Sequence, residues 1–267
     1  MIAPLSPRNR LVQQARLLAR SRQDREATGL AVLEGIRLAE EALSAGLPLE
    51  YVLYTEELTA KERGARLLRD LTRAGVPLYP TTPEALQRAA DTQSPQGILA
   101  VFRPRRFRLA DIPRGLVLLA DNLQDPGNLG TVIRSLEALG GAGLVVAGGV
   151  DPYNPKVVRG AMGSLFRLPV VKAGVEEALS FLTARGSRVY VADAGGELVP
   201  WEADLTGDLV LVIGNEGAGP SEAARRLAHG VISIPMPGAT ESLNAGVAAS
   251  LLLYEALRQR TTLHRLP

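Results

Sequence analysis

Cysteine is absent from this chain of 267 residues. That absence removes disulfides, thiolate metal sites and cysteine nucleophiles together. Histidine occurs only at His229 and His264, too few for an imidazole cluster, so no metal is expected. The same scarcity leaves little for a Ser-His-Asp triad, and no serine sits in a nucleophile elbow. Long apolar runs are missing too. None approaches the roughly 20 residues of a membrane-spanning helix. The opening MIAPLSPRNR has no apolar centre of the kind a signal peptide carries. The reading is a cytoplasmic, water-soluble protein. Lysine is limited to Lys61, Lys156 and Lys172, so arginine supplies nearly all of the positive charge.

The apolar share is 46%, ample for packed cores, and the length suggests about two domains. Net charge is only +2, but the arginines are clustered. Arg8, Arg10, Arg16, Arg20, Arg22 and Arg25 form one group; Arg103, Arg105, Arg106, Arg108 and Arg114 form another. Guanidinium forks suit phosphates and stack on bases. The groups therefore read either as a nucleic-acid-contacting surface or as a solvated one, and charge alone does not choose.

Residues 1–102 read as a small α/β unit. Arg8 to Arg25 is expected as a basic helix with a thin stripe of Leu11, Leu17 and Leu18. Strands follow at AVLE, YVLY, VPLY and GILAVF, with helices between them. Residues 103–114 are charged, hold two prolines and lack an apolar period, as a linker would. From residue 115 onwards the rhythm becomes strand, helix, strand, helix. GLVLLAD, GLVVAG, RVYVAD, DLVLVIG and GVISIP are apolar nearly throughout, as strands buried on both faces of a parallel sheet are.

Three strand-to-helix turns in this second part could carry chemistry, because open α/β sheets bind ligands at the carboxyl ends of their strands. The first, DNLQDPGNLGTVIRSLEALG, sets Asn128 near a helix start and Arg134 opposite the helix's apolar face. The second, IGNEGAGPSEAARRL, has glycines at 214, 217 and 219 for close backbone approach and Glu216 among them. It is neither a Walker loop nor a dinucleotide fingerprint, which disfavours an oxidoreductase. The third, IPMPGATESLNAGVAASLLLYEAL, presents Ser242 and Asn244 at the mouth of a helix apolar nearly all round. Helix capping explains Asn128 and Ser242 equally well. Asn244 is harder to account for as a cap.

Taken together, the three turns resemble the SpoU/TrmH family of RNA ribose methyltransferases, in the SPOUT superfamily. The matching stretches are Asn128-Leu-Gly-Thr-Val-Ile-Arg134, Gly214-Asn215-Glu216-Gly217, and Ile234-Pro-Met-Pro with Ser242-Leu243-Asn244-Ala245. The N-terminal part resembles the family's substrate-binding domain more loosely, through Glu34-Gly35 and Ser94-Pro95-Gln96-Gly97. The resemblance implies a knotted (trefoil) parallel-sheet domain over 115–267 behind a smaller α/β RNA-binding domain. It also implies S-adenosylmethionine as cofactor and a homodimer with its active site near the interface. Gly214, Ile234 and Leu243 would frame the adenosyl group, with Met236 nearby. Arg134 would be the central catalytic residue, supported by Asn128, Glu216, Ser242 and Asn244. The expected reaction is 2′-O-methylation of structured RNA, ribosomal rather than transfer RNA. A transfer RNA ribose methyltransferase, or a non-catalytic RNA-binding protein of the same fold, is the alternative. Leu252 and Leu253 on the last helix are expected to meet the partner subunit.

Overall fold

The structure, a computed structural model, describes residues 3–240 and 242–263. The chain forms two compact units, Met1–Arg105 with Tyr153–Phe166, and Arg106–Pro152 with Arg167–Pro267. The order of strands and helices follows the sequence expectations. The segment 153–166 belongs to the first unit although it is embedded in the sequence of the second.

The basic N-terminal stretch is two helices rather than one, α1 (Arg10–Arg20) and α2 (Arg22–Thr28). Ser21 makes the break. Its backbone N–H closes α1 onto the Leu17 carbonyl, while its hydroxyl accepts from the Asp24 N–H to start α2. A side chain that caps one helix while ending another fixes a corner. The buried face of α1 is Val12, Ala15, Leu18 and Ala19. Leu17, expected in the apolar stripe, is 52% exposed, because at 100° per residue it lies away from the buried face of Val12, Ala15, Leu18 and Ala19.

The rest of the first unit runs β1 (Ala31–Glu34), α3 (Ile36–Ser44), β2 (Leu49–Tyr54), α4 (Glu56–Thr59), α5 (Glu62–Arg73), β3 (Leu78–Pro80), α6 (Pro83–Ala89) and β4 (Ile98–Phe102). The sheet order is β1-β4-β2-β3, with β4 antiparallel to both neighbours and β3 parallel to β2. Val32, Leu53, Leu99 and Val101 turn one face to α1 and α6. Phe102 packs edge-on against Tyr153 and Phe166 from the embedded segment. Glu34 accepts hydrogen bonds from the backbone and hydroxyl of Thr92, which ties the Glu34-Gly35 stretch to the loop leading into β4.

The second unit contributes β5 (Leu116–Asp121), α7 (Pro126–Ala138) and β6 (Gly143–Ala147). After α8 (Pro155–Gly160), which lies in the embedded segment, come β7 (Val170–Lys172), α9 (Val175–Ala184), β8 (Arg188–Ala192), β9 (Leu209–Ile213), α10 (Glu222–Arg226), β10 (Gly230–Ile232) and α11 (Ala245–Leu263). All six strands are parallel, in the order β10-β8-β9-β5-β6-β7. Every residue of β5, β6 and β9 is buried, as their unbroken apolar runs predict. Val117, Val145, Val189 and Val210 share a core with α9 and α10. The chain then leaves the edge strand β10 and returns to pack α11 on α7, the helix that follows the central strand β5. The two helices also share a hydroxyl pair, Ser135 Oγ to Ser250 Oγ at 2.7 Å.

Among the described residues no helix is long and apolar enough to cross a membrane. The greasy α11 is largely covered from within its own unit. Ala245, Ala249, Leu252, Leu253 and Ala256 are buried, while Val247, Leu251 and Tyr254 stay exposed at 46%, 46% and 60%. Leu252 and Leu253 are each only 1% exposed, so both are used in packing within the chain and neither is open to a partner, contrary to the expectation. An α-helix turns 100° per residue, and positions 247, 251 and 254 lie together on one side.

Candidate active site

The three turns meet at the carboxyl ends of the central strands, where they are joined by side-chain hydrogen bonds. In the first turn Asp125, not Asn128, is the N-cap of α7; its carboxylate accepts from the Asn128 N–H at 2.8 Å. Asn128 is thereby pushed three positions into the helix, where its amide is buried and free to bridge. Its Nδ2 donates to Glu216 Oε1 at 2.8 Å, and its Oδ1 accepts from Asn244 Nδ2 at 2.7 Å. Asn244 in turn caps α11, its Oδ1 accepting from the N–H groups of Gly246 and Val247 at 2.9 and 3.2 Å. The capping role expected of Ser242 thus belongs to Asn244. An amide was needed there because one end serves the cap and the other reaches Asn128.

Glu216 is the hub of the second turn. Its carboxylate also accepts from the backbone N–H of Gln124 and Asp125, each at 3.1 Å. Partial burial pushes its pKa up, but the bonds from Asn128, Gln124 and Asp125 outweigh that and hold it below the ordinary glutamate value. These donors favour the ionised form. Buried Asp121 accepts from the Ser221 N–H at 2.7 Å, and Asn215 Nδ2 donates to the Asn122 carbonyl at 3.0 Å. Ser221 caps α10, and Pro220 precedes the cap. Gly214 is required by the turn itself. A Cβ there would stand 2.1 Å from the Pro220 nitrogen.

A cavity of about 320 Å³ opens beside this framework, within the ordinary range for small-molecule sites, about 300–1,000 Å³. It is lined by Gly214, Ile234, Met236 and Leu243, all four residues expected around a cofactor, together with Glu216 and Ser242. Asn128 and Asn244 do not line it; they brace its wall through Glu216 and the start of α11. Arg134 is also outside it. The side chain is on the exposed face of α7 and makes no hydrogen bond or ion pair among the described residues. His229 accepts from the Val189 N–H at 3.1 Å, a structural use, and His264 lies outside the described residues. Among the described residues no acidic and histidine side chains gather as a metal site.

Asp193 escaped the sequence reading. It follows β8 directly and lines the cavity. Its position was findable, since an acid just past a strand of a parallel sheet stands where ligands bind.

The arginines divide by what holds them. Arg25 is buried and donates to the Leu18 carbonyl at 2.7 Å, so it is lost to any ligand. Arg22 pairs with Glu26, Arg103 with Glu50, Arg108 with Asp111 and Arg114 with Asp208. Arg105 caps the carbonyls of Ala45 and Gly46. Arg8, Arg10, Arg16, Arg20 and Arg106 have no such partner among the described residues.

The bridging amide gives a direct test. Removing the Asn128 side chain leaves Asn244 Nδ2 without its acceptor and Glu216 with one donor fewer. Asn128→Ala should cost about 1–3 kcal/mol in urea unfolding. Glu216 sets the pH dependence of the same framework. Its folded-state pKa is lowered, so its contribution is present at neutral pH and lost as pH falls through the folded value. Glu216→Gln should therefore narrow the stability difference between about pH 7 and about pH 4. An unchanged difference would mean that Glu216 is not held as an anion.

The profile of the SpoU rRNA Methylase family matches residues 115–254, and that of the MRM3-like substrate binding domain matches residues 9–100. The chain is 35% identical over 266 residues to the 23S rRNA (uridine(2479)-2′-O)-methyltransferase of Streptomyces viridochromogenes, covering 96% of this chain and 92% of that one. It is 34% identical over 235 residues to the 23S rRNA (guanosine(2553)-2′-O)-methyltransferase RlmP of Bacillus subtilis, covering 88% and 91%. The crystal structure of the SpoU methyltransferase AviRb from S. viridochromogenes, in complex with AdoMet, superposes with a TM-score of 0.88 over 94% of this chain and 98% of that one, at 35% identity. With both parts of the chain matched and the joined turns falling inside the first match, this protein belongs to the SpoU rRNA Methylase family.

Proposed function

We propose that the chain transfers a methyl group from S-adenosylmethionine to a ribose 2′-hydroxyl of ribosomal RNA. The observation that carries this reading is the cavity and its bracing. An apolar wall of Ile234, Met236 and Leu243 sits beside Glu216, and the Glu216–Asn128–Asn244 chain of hydrogen bonds fixes all three turns around it. The cavity fits the cofactor chemically. Its only ionisable lining side chains among the described residues are two acids, Asp193 and Glu216, which suits a cationic ligand. The similar AviRb structure holds AdoMet, and both named relatives methylate 23S rRNA.

When bound, S-adenosylmethionine supplies an electrophilic methyl group on a sulfonium. The attacking ribose oxygen then needs alignment more than covalent help, and proximity can contribute about 7–11 kcal/mol. That demand suits a chain without cysteine. Glu216, Asn128 and Asn244 are positioning residues in this reading, because their polar atoms are already engaged with one another. Arg134 is the catalytic residue. A guanidinium stays protonated and cannot act as the base. Its part is to hold the phosphate next to the reacting ribose and to stabilise the developing alkoxide. Ser242, exposed and lining the cavity, offers a hydroxyl to the ligands.

The protein acts as a homodimer in the cytoplasm, with the exposed stripe of α11 as the subunit contact and the active site near it. The first unit binds RNA. Residues 103–114 link it to the methyltransferase domain over 115–267; Arg8, Arg10, Arg16 and Arg20 are its free phosphate-binding groups, and Arg106 on the link is another. Converting Arg8, Arg10, Arg16 and Arg20 to glutamine should weaken RNA binding about tenfold or more and flatten its salt dependence, by roughly 0.7–0.9 in slope for each phosphate left unneutralised. The same change at Arg22 and Arg108 should leave the slope nearly unaltered, because Glu26 and Asp111 already hold those groups. Equal slopes for the two sets would defeat the assignment. The function itself is tested by labelled methyl transfer to ribosomal RNA from a strain lacking the protein, followed by mapping of ribose methylation. Incorporation only into transfer RNA would move the substrate. Cofactor binding with no incorporation into any RNA would favour a non-catalytic RNA-binding protein.

A further inference from the structure

The two acids of the cavity are used differently. Glu216 has three donors on its two oxygens, all from the protein. Asp193 has one donor on each oxygen. Oδ1 accepts from the Gly195 N–H at 2.9 Å and Oδ2 from Arg225 Nη2 at 2.6 Å. An ionised carboxylate offers about four acceptor sites, so one on each oxygen is left. The group is also rigidly placed. Its backbone N–H donates to the Ile232 carbonyl at 3.0 Å, and its side chain is pinned from two directions. It is adjacent to the cavity's glycine loop, since a Cβ on Gly219 would come within 3.3 Å of Oδ2 and 3.4 Å of Arg225 Nη2. The Arg225 bond, against a smaller opposing effect of burial, holds Asp193 below the usual aspartate range. It is therefore an acceptor only, with two free sites side by side.

A pair of adjacent acceptors suits a pair of adjacent donors. Within S-adenosylmethionine the ribose diol offers them as neutral groups. The α-ammonium offers donors too, but as a cation it would have to approach a carboxylate already facing the like-charged Arg225. We propose that Asp193 receives the ribose hydroxyls of the bound cofactor and is a specificity-determining residue of the site, with Arg225 positioning it. This rests on the reading of the cavity as the S-adenosylmethionine site.

Calorimetry with the whole protein tests it, using S-adenosylhomocysteine, which has no methyl group to transfer. Its 2′-deoxy and 3′-deoxy forms and 5′-methylthioadenosine complete the set. In the unaltered protein, at least one deoxy form should bind about tenfold or more weakly than S-adenosylhomocysteine, as loss of a hydrogen bond to a charged group implies. In Asp193→Asn that penalty should shrink below about threefold, and affinities for S-adenosylhomocysteine and 5′-methylthioadenosine should fall together, since both carry the ribose. The unaltered protein alone can overturn the proposal, if both deoxy forms bind it as tightly as the parent ligand. A penalty that persists in Asp193→Asn overturns it as well. So does a variant that loses S-adenosylhomocysteine but keeps 5′-methylthioadenosine, because the contact would then be with the ammonium. Failure of the unaltered protein to bind S-adenosylhomocysteine at all would instead remove the cofactor reading beneath the proposal.

Discussion

Arg134→Ala should slow methyl transfer about 10²–10³-fold, the usual cost of deleting one donor to a developing oxyanion, while leaving cofactor affinity within about twofold. The separation follows from where the side chain is. Arg134 does not line the cavity that holds Leu243, Ile234 and Met236, and it makes no bond to the Glu216–Asn128–Asn244 framework. Its removal disturbs neither the wall nor the bracing. Leu243→Asp should do the opposite. A third carboxylate would enter an apolar wall beside Asp193 and Glu216, where it must be desolvated without a partner. Cofactor affinity should then fall about tenfold or more. Calorimetry and single-turnover kinetics on the two variants decide the matter. The reverse order, with Arg134→Ala losing cofactor and Leu243→Asp keeping it, would refute the site map. The rate–pH profile of Arg134→Lys adds a second test. A limb that moves with the pKa of the new amine would show that residue 134 itself takes the ribose proton.

The parallel sheet and the turns at its strand ends were legible because both rest on local signals. Apolar runs such as LVLLAD and LVLVI mark strands buried on both faces, and asparagine, glycine and proline mark the turns between them. Roles inside the turns were less legible, since they depend on pairings 88 and 116 residues apart, Asn128 with Glu216 and Asn128 with Asn244. Sequence alone made Asn128 and Ser242 look like caps. The structure gives the capping to Asp125 and Asn244 and frees Asn128 to bridge. The N-terminal arginines show the same limit. Arg25 and Arg20 look alike in sequence, yet one is buried on the Leu18 carbonyl and the other is exposed. A knot could come only from the resemblance, because periodicity carries no information about threading and ordinary chains avoid it.

Leu251→Glu and Tyr254→Glu should turn a dimer into a folded, inactive monomer, whereas Leu252→Glu should unfold the chain. The difference lies in one step around a helix. Leu252 is 1% exposed within its own subunit, in the layer that packs α11 against α7 and the sheet. A glutamate there loses the leucine's burial and adds an unpaired charge, for a total above about 3 kcal/mol. Leu251 and Tyr254 are 46% and 60% exposed, and a charge at either costs the isolated subunit only about 0.5 kcal/mol. In a dimer the same charge would be buried without a partner. Val247, Leu251 and Tyr254 cannot form the contact alone, since a stable interface needs about 1,000 Å² or more. The neighbouring face of α7 must take part. Thr131 and Arg134 are exposed there, and the Ser135–Ser250 hydroxyl pair holds the two helices side by side. This places Arg134, the proposed catalytic residue, beside the proposed contact, which is why activity should be lost with the dimer although cofactor binding and thermal stability survive. Sedimentation, calorimetry and thermal unfolding of the three variants separate these outcomes. An unaltered protein that sediments as a fully active monomer at micromolar concentration, or a Leu251→Glu variant that stays dimeric, would remove α11 from the subunit contact.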